Sequence, residues 1–227
     1  MRDLLSNFYK AAILLFGAIL IAFPARAQQV PFELLWRTGT VYLTSGDSVS
    51  GQVSLVLPTD IVSVKQPDGT VSAFATVNVT DFVVREEQNS RNFRPAIGPL
   101  EIERYYKTYM WDHNKDYSNF LSPAFFVVVQ PGVYTLLMRE TKAPMPVQVN
   151  RYANANSMGY RTEKILQYFY LAKPNNEIIP LRNPRKDLQS LFPKLKNDLV
   201  TFAKTNKLDF DEPLELARII EYCNRSI

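Results

Sequence analysis

One cysteine and one histidine are all that this 227-residue chain carries. A lone thiol cannot close an internal disulfide, so stability has to come from a packed core. One Cys with one His cannot build a structural zinc site of the Cys/His type within the chain. Any Ser-His-Asp arrangement has to use His113, and any Cys-His pair has to bring His113 to Cys223. Glycine is scarce as well, at eight residues. No Walker loop, dinucleotide-binding glycine pattern or G-x-S-x-G elbow occurs. His113 lies in the polar run "WDHNKDYSN", where a loop histidine is the ordinary expectation and catalysis is not. Cys223 shares a helical stripe with Leu216, Ile219 and Ile220 and reads as a small apolar core residue.

Long apolar runs are also missing, with one exception near the start. "AAILLFGAILIAF" is uncharged over 13 residues, from Ala11 to Phe23. That is short of the roughly 20 that a membrane-spanning helix needs. Arg2 and Lys10 precede it, and Ala25-Arg26-Ala27 supplies the small residues of an A-x-A cleavage site. Residues 1–27 are expected to be a cleaved secretory signal, placing the protein in the periplasm, at the outer membrane or outside the cell. No cysteine near the cleavage site offers a lipid attachment point, and no later run is apolar enough to span a bilayer as a helix. The leader takes three of the 26 Lys+Arg and one of the 22 Asp+Glu, leaving a net charge of about +2. No basic patch able to neutralise many phosphates remains, so nucleic acid is not an expected partner.

What is present is mostly strand pattern. After "TVYL" and the turn "TSGDS", Val49, Val53, Leu55 and Leu57 alternate, as in a strand with one buried face. Gly51 within that run marks a bulge or a close approach of backbones. "IVSVKQ" and "TVSAFA" flank Asp68-Gly69, a turn pair that tolerates positive φ, and are expected to form an antiparallel hairpin. With "VNVTDFVVREE" these make a meander of about five short strands between Thr40 and Glu86. A small barrel, roll or sandwich is the expected architecture. "EEQNSRNFRPAIGPL" reads as a polar excursion. "AFFVVVQPGVYTLLMRE" is a second hairpin turning at Pro131-Gly132, and a short strand is expected at Val147 to Val149.

The period then changes. A last hairpin is centred on Pro174-Asn175-Asn176, and Asn183-Pro184 is an N-cap followed by proline at the first helical position. Leu188, Leu191, Phe192, Leu195, Leu199 and Phe202 follow helical spacing, with Pro193 predicting a break into two helices. A third helix is expected over about Pro213 to Asn224, capped by Asp209 or Asp211. The overall expectation is an α+β protein. Residues 28–150 form the antiparallel β portion; residues 151–227 add a loop, a hairpin and about three helices packed as one unit with it.

Three groups of residues are candidates for chemistry. Asp112, Asn114 and Asp116 place oxygens at alternate positions, as calcium loops do. Position six of that loop is Tyr117 rather than glycine, and position twelve is Pro123 rather than glutamate, so a backbone-bonding turn is expected and no metal or other cofactor. The carboxylate clusters Glu86-Glu87, Glu101-x-Glu103 and Asp209-x-Asp211-Glu212 could serve hydrolysis only if two carboxyls face each other across a cleft. Between Tyr105 and Phe126, eight of 22 residues are aromatic. Tyr105, Tyr106, Tyr109, Trp111 and Tyr117 are therefore the candidate binding platform; the competing reading is that the aromatics fill core beneath a loop.

The runs "GTVYLTSGDSVSGQV", "DIVSVKQPDGTVSAFATVNVTDFVV", "SPAFFVVVQPGVYTLLMRE" and "LFPKLKNDLVTFAKTNKLDFDEPLELARIIEYCN" resemble a group of uncharacterised exported proteins common in Bacteroidetes. The resemblance covers most of residues 38–227 and rests on structural motifs. It implies a bacterial cell-envelope setting and brings no activity, cofactor or catalytic residue with it. In that setting the Asn78-Val79-Thr80 and Asn224-Arg225-Ser226 sequons are incidental. The function expected is non-enzymatic binding of another envelope protein or of a surface glycan; the alternative is a carboxylate-dependent hydrolase of envelope polymers.

Overall fold

The computed structural model describes residues 32–57, 59–87, 101–113, 120–144 and 163–227. They hold ten strands in one antiparallel sheet, with three α-helices after the last strand. The strands are β1 (Phe32–Leu43), β2 (Ser48–Leu57), β3 (Ile61–Lys65), β4 (Val71–Ala75), β5 (Val79–Glu87), β6 (Glu101–Trp111), β7 (Ser122–Gln130), β8 (Thr135–Pro144), β9 (Glu163–Ala172) and β10 (Ile178–Leu181). Their order across the sheet is β10-β9-β8-β7-β6-β5-β1-β2-β3-β4. The fold is thus α+β and mostly antiparallel, as the alternation predicts.

Of the barrel, roll or sandwich expected, a closed barrel is not formed: the sheet is open, with β4 and β10 at its two edges. Closing a barrel requires the outer strands to pair. Here β4 has five residues and β10 four, one of them Pro180, which has no N–H to give a ladder. The sheet nevertheless curls. Asp60, in the turn between β2 and β3, reaches Arg139 on β8, and the 3-10 turn Thr76–Asn78 packs on β7.

Local chemistry explains the connections. In the β3–β4 turn Gly69 sits at φ +89° and donates to the Gln66 carbonyl at 3.0 Å. The Asp68 carboxylate accepts from the Thr70 N–H at 2.9 Å. Gly51 is a close approach rather than a bulge in β2: a Cβ there would lie 2.3 Å from the Lys65 carbonyl oxygen of β3. The irregular register falls in β1, between Trp36 and Gly39.

The helices are α1 (Pro184–Leu191), α2 (Lys196–Thr205) and α3 (Pro213–Arg225), with a 3-10 turn at Pro193–Leu195 where proline breaks the first two apart. Asn183 caps α1 by accepting from the Lys186 N–H, and Asp187 returns a bond to the Asn183 N–H at 2.7 Å. The cap expected on α3 is displaced. Glu212 occupies the N-cap position without a side-chain bond, while Asp209 accepts from the Asp211 N–H and Glu215 from the Asp209 N–H. Pro213 at the first helical position already lacks the donor that a cap would satisfy. At the far end of α3, the Asn224 side chain accepts from the Tyr134 N–H at 2.8 Å and donates to its carbonyl at 2.9 Å. That clamp ties the helix to the β7–β8 hairpin.

Leu216, Ile219, Ile220 and Cys223 of α3 are fully buried in the main core, with Phe82, Phe125, Leu136, Met138 and Leu171 from the sheet. Burying each such Leu or Ile side chain contributes about 1.5–3 kcal/mol. We call the side of the sheet that faces this core the inner face. A second cluster, Trp111, Ala124, Phe126, Leu137, Tyr170 and Ala172, occupies the opposite, outer side of β6 to β9. Strands β7 to β9 are therefore buried on both faces, which is why "AFFVVV" and "YFYLA" are continuous apolar runs. None of the described helices is long and apolar enough to cross a membrane.

Candidate binding face

Strand β6 carries four of the five candidate aromatics, and strand geometry sends successive side chains to opposite faces. Tyr106 points inward. It is 3% exposed, stacked on Phe82 at 4.4 Å and edge-on to Trp36 at 5.5 Å. Tyr105, Tyr109 and Trp111 point outward, but only Tyr105 is open, at 38% exposure. Tyr109 is half-buried against Phe126. Trp111 is 8% exposed, packed edge-on against both Phe126 and Tyr170. Tyr106 and Trp111 are therefore core residues and cannot form a platform. The apolar area of each ring is withdrawn from water on the face where the sheet already has a core. Tyr117 lies outside the described residues.

Of the calcium-loop candidates, Asn114 and Asp116 also lie outside them. Asp112 is described, and no group of three His, Cys, Asp or Glu residues able to hold a metal occurs among the described residues. The described members of the carboxylate clusters do not come together. Glu103 is on the outer face of β6 in an ion pair with Arg85 at 3.0 Å, whereas Asp209, Asp211 and Glu212 belong to the loop before α3. Nothing is described of the Glu86, Glu87 and Glu101 side chains.

The outer face is open where β6, β5, β1, β2 and β3 run side by side. Register lines up Ser50 with Thr40, Thr40 with Val83 and Val83 with Tyr105. A second row joins Ser48, Tyr42, Asp81 and Lys107. An open groove of about 810 Å³ lies across this face. Thr38, Thr40, Tyr42, Ser50, Gln52 and Arg85 are among its lining residues, and Thr40 and Ser50 share a hydroxyl–hydroxyl bond at 2.9 Å. Tyr42, 44% exposed, and Tyr105 flank Asp81 in register. Partial burial pushes the Asp81 carboxyl up, against the pull of Tyr105 and Lys107; burial and the Asp81 charge push the Tyr105 phenol up. Lys107 lies over the Tyr109 ring at 5.7 Å. Arranged in this way, the side chains offer hydroxyl, amide, carboxylate and cationic groups around two exposed rings.

A second polar cluster sits where β7 and β8 part. Their pairing ends at Val127↔Met138, while β6–β7 and β8–β9 continue. Into that fork Arg139 sends its guanidinium, donating to the Phe125 carbonyl at 2.7 Å and to both Asp60 oxygens at 3.1 Å. The guanidinium also lies 5.0 Å from the Trp111 ring. Asp60 is buried and holds φ +52°. Burial raises its pKa, although Arg139 and His113 both pull it down. His113, at φ +58°, hydrogen-bonds through Nε2 to Ser122 Oγ and packs on Trp111. Serine and histidine are thus bonded here, while each Asp60 oxygen accepts from Arg139. The arrangement is an ionic lock on the sheet's curl.

Sequence reasoning missed Asp60 and Arg139, and it missed Tyr42, Thr40, Ser50 and Gln52 of the groove. The available signal for Arg139 was a charge inside the apolar run "YTLLMRE". For the groove it was the polar partner set of the alternation used to place β1 and β2. Comparison with protein-family models, with curated proteins and with solved structures finds no match.

Proposed function

We propose that this is a non-enzymatic exported protein of the bacterial cell envelope that binds a surface glycan on the outer face of its sheet. The observation that carries the reading is the groove of about 810 Å³, lined by hydroxyl and amide side chains and by Tyr42, with the exposed Tyr105 paired in register with its lining residue Val83. Sugars present C–H faces that pack on aromatic rings and hydroxyls that pair with fixed polar groups, so a few convergent polar side chains beside exposed rings suit them. The aromatic platform expected from "YYKTYMW" is narrowed to Tyr105, with Tyr42 from β1 beside it. A carboxylate hydrolase of envelope polymers, the rival reading, needs a second carboxylate facing Glu103; among the described side chains Glu103 is the one carboxylate lining the groove, and it is tied to Arg85.

The test is a glycan panel probed with the wild-type chain and with Tyr42→Ala and Tyr105→Ala. Binding that both substitutions weaken, with unchanged thermal unfolding, supports the reading. A panel that stays silent, or binding indifferent to both tyrosines, overturns it.

A further inference from the structure

The two edges of the sheet are built differently. At the β10 edge Pro180 removes a backbone donor and α1 packs against the strand. Strand β4 has neither device. Residues 70–80 hold no charged side chain and no proline, and the register of β4 with β3 runs without a bulge. Charges, prolines and bulges are the usual means of keeping an edge from pairing with another chain. The outward side chains of β4 are apolar as well: Val71, Ala73 and Ala75 are exposed, Val71 at 62%.

The β3–β4 turn fixes the direction of the backbone groups. Gln66 donates its N–H to the Thr70 carbonyl, so these two form a hydrogen-bonded pair. Alternation along an antiparallel ladder makes Val64↔Ser72 and Val62↔Phe74 the next such pairs. The N–H and C=O of Val71 and Ala73 and the N–H of Ala75 therefore point away from β3, into the open edge. The Ala75 carbonyl serves the 3-10 turn that Ala75 caps.

We infer that this edge pairs with β4 of a second copy of the chain, antiparallel, with the two-fold axis at Ala73. Ala73 of each copy then exchanges N–H···O bonds with its counterpart, and each Ala75 N–H donates to the Val71 carbonyl of the other copy. The strand suits a copy of itself. Alanine stands opposite alanine and valine opposite alanine, and no charge meets a like charge. Directly opposed residues share a face, so the outer faces of the two copies become one. Lys65 of β3 lines the groove, and the β3 strands of the two copies stand three strand spacings apart, roughly 14 Å at about 4.8 Å each. Two grooves thus open side by side in the same direction; the pairing itself stands independently of the glycan reading. A five-residue strand makes a small interface, in the class under about 1,200 Å² that dissociates readily, so the dimer is a reversible one.

The test is sedimentation velocity on the purified chain from about 10 µM to about 1 mM, with thermal unfolding of each variant as the check on folding. The wild-type chain is expected to pass from monomer to dimer across that range. Ala73→Lys and Ala73→Glu each set like charges face to face on the axis and should weaken dimerisation about two- to fivefold. An equimolar mixture of the two should restore at least the wild-type level, because lysine then meets glutamate. Ala73→Pro deletes the edge-facing N–H without removing a bond to β3 and should leave a monomer. A wild-type chain that stays monomeric up to about 1 mM overturns the inference, and so does a dimer that survives Ala73→Pro. Charge variants that associate as the wild type does, or a mixture that fails to recover, overturn the two-fold at Ala73.

Discussion

Replacing Arg139 by methionine removes the cation from the fork between β7 and β8 and leaves Asp60 in place. In the native protein the side chains of Arg139 and Asp60 are 12% and 5% exposed and joined by two bonds of 3.1 Å. Breaking a buried pair from one side strands the other charge, at a cost of about 3–5 kcal/mol. The Phe125 carbonyl loses its donor as well, so about 4 kcal/mol is a fair centre. In a domain of this size each kcal/mol is worth about 2–4 °C, so the melting temperature should fall by about 8–16 °C at pH 7. The Asp60 carboxyl is raised above 3.8 even with Arg139 beside it. A carboxyl raised in the folded state binds its proton more tightly there than in the unfolded chain. Its contribution to stability is thus present below the unfolded pKa and lost as pH climbs through the folded one. The Arg139→Met deficit should therefore shrink on acidification toward pH 4. Adding Asp60→Asn should recover most of the loss at pH 7, because no buried charge remains and asparagine tolerates the left-handed backbone. Thermal and urea unfolding of both variants at the two pH values decide the matter. A loss under about 1 kcal/mol, or a double variant as weak as the single one, would refute the lock.

Trp111→Ala should lower stability by about 3–5 kcal/mol, whereas Tyr109→Ala, half-buried beside it, should cost less than half as much; urea titration separates them. Gly51→Ala drives a methyl group to 2.3 Å from the Lys65 carbonyl and should cost about 1–3 kcal/mol or more, read in the same titration. The Cys223 thiol, buried beneath α3 and pushed up to about 12 by burial, should resist alkylation at pH 8 in the folded protein and react at once in denaturant; rapid native labelling would contradict the packing. Asn224→Ala should loosen α3 from the β7–β8 hairpin at a cost of about 1–3 kcal/mol, with faster amide exchange at Tyr134 as its local sign.

Much of the fold is legible in the sequence because its signals are local. Asp68-Gly69, Pro131-Gly132 and Pro174-Asn175-Asn176 each fix a turn through backbone preference, and the three hairpins follow. Pro193 and Asn183-Pro184 punctuate the helices in the same way. Closure is not local. Whether ten strands form a barrel or an open sheet depends on whether β4 and β10 can meet, and no stretch of sequence near either strand encodes the distance between them. The lock is illegible for the same reason: Asp60 and Arg139 are 79 residues apart, and their pairing depends on the sheet's curl. The short strand expected at Val147 to Val149 lies outside the described residues, as does the polar excursion at 86–100 beyond Glu87, where β5 ends.

The candidate site turns on parity, and parity is where composition misleads. A count of eight aromatics in 22 residues treats Tyr105 and Tyr106 as neighbours in function, yet a strand puts adjacent residues on opposite faces. Tyr106 shares its face with Thr108 and the inner core, and Tyr105 with Lys107 and the groove. Even that rule is insufficient, because Trp111 has the same parity as Tyr105 and is nonetheless buried. What separates them is position across the sheet. Trp111 pairs with Ser122 beside the second core cluster, while Tyr105 pairs with Val83 next to the groove. The outer face is therefore core over β6 to β9 and open over β3 to β6, and β6 is the strand along which one becomes the other. A binding face of this kind is defined less by its aromatic content than by where the second core stops. The polar residues of β1 and β2, which the alternation marks as the solvent side, are the ones left to meet a ligand there.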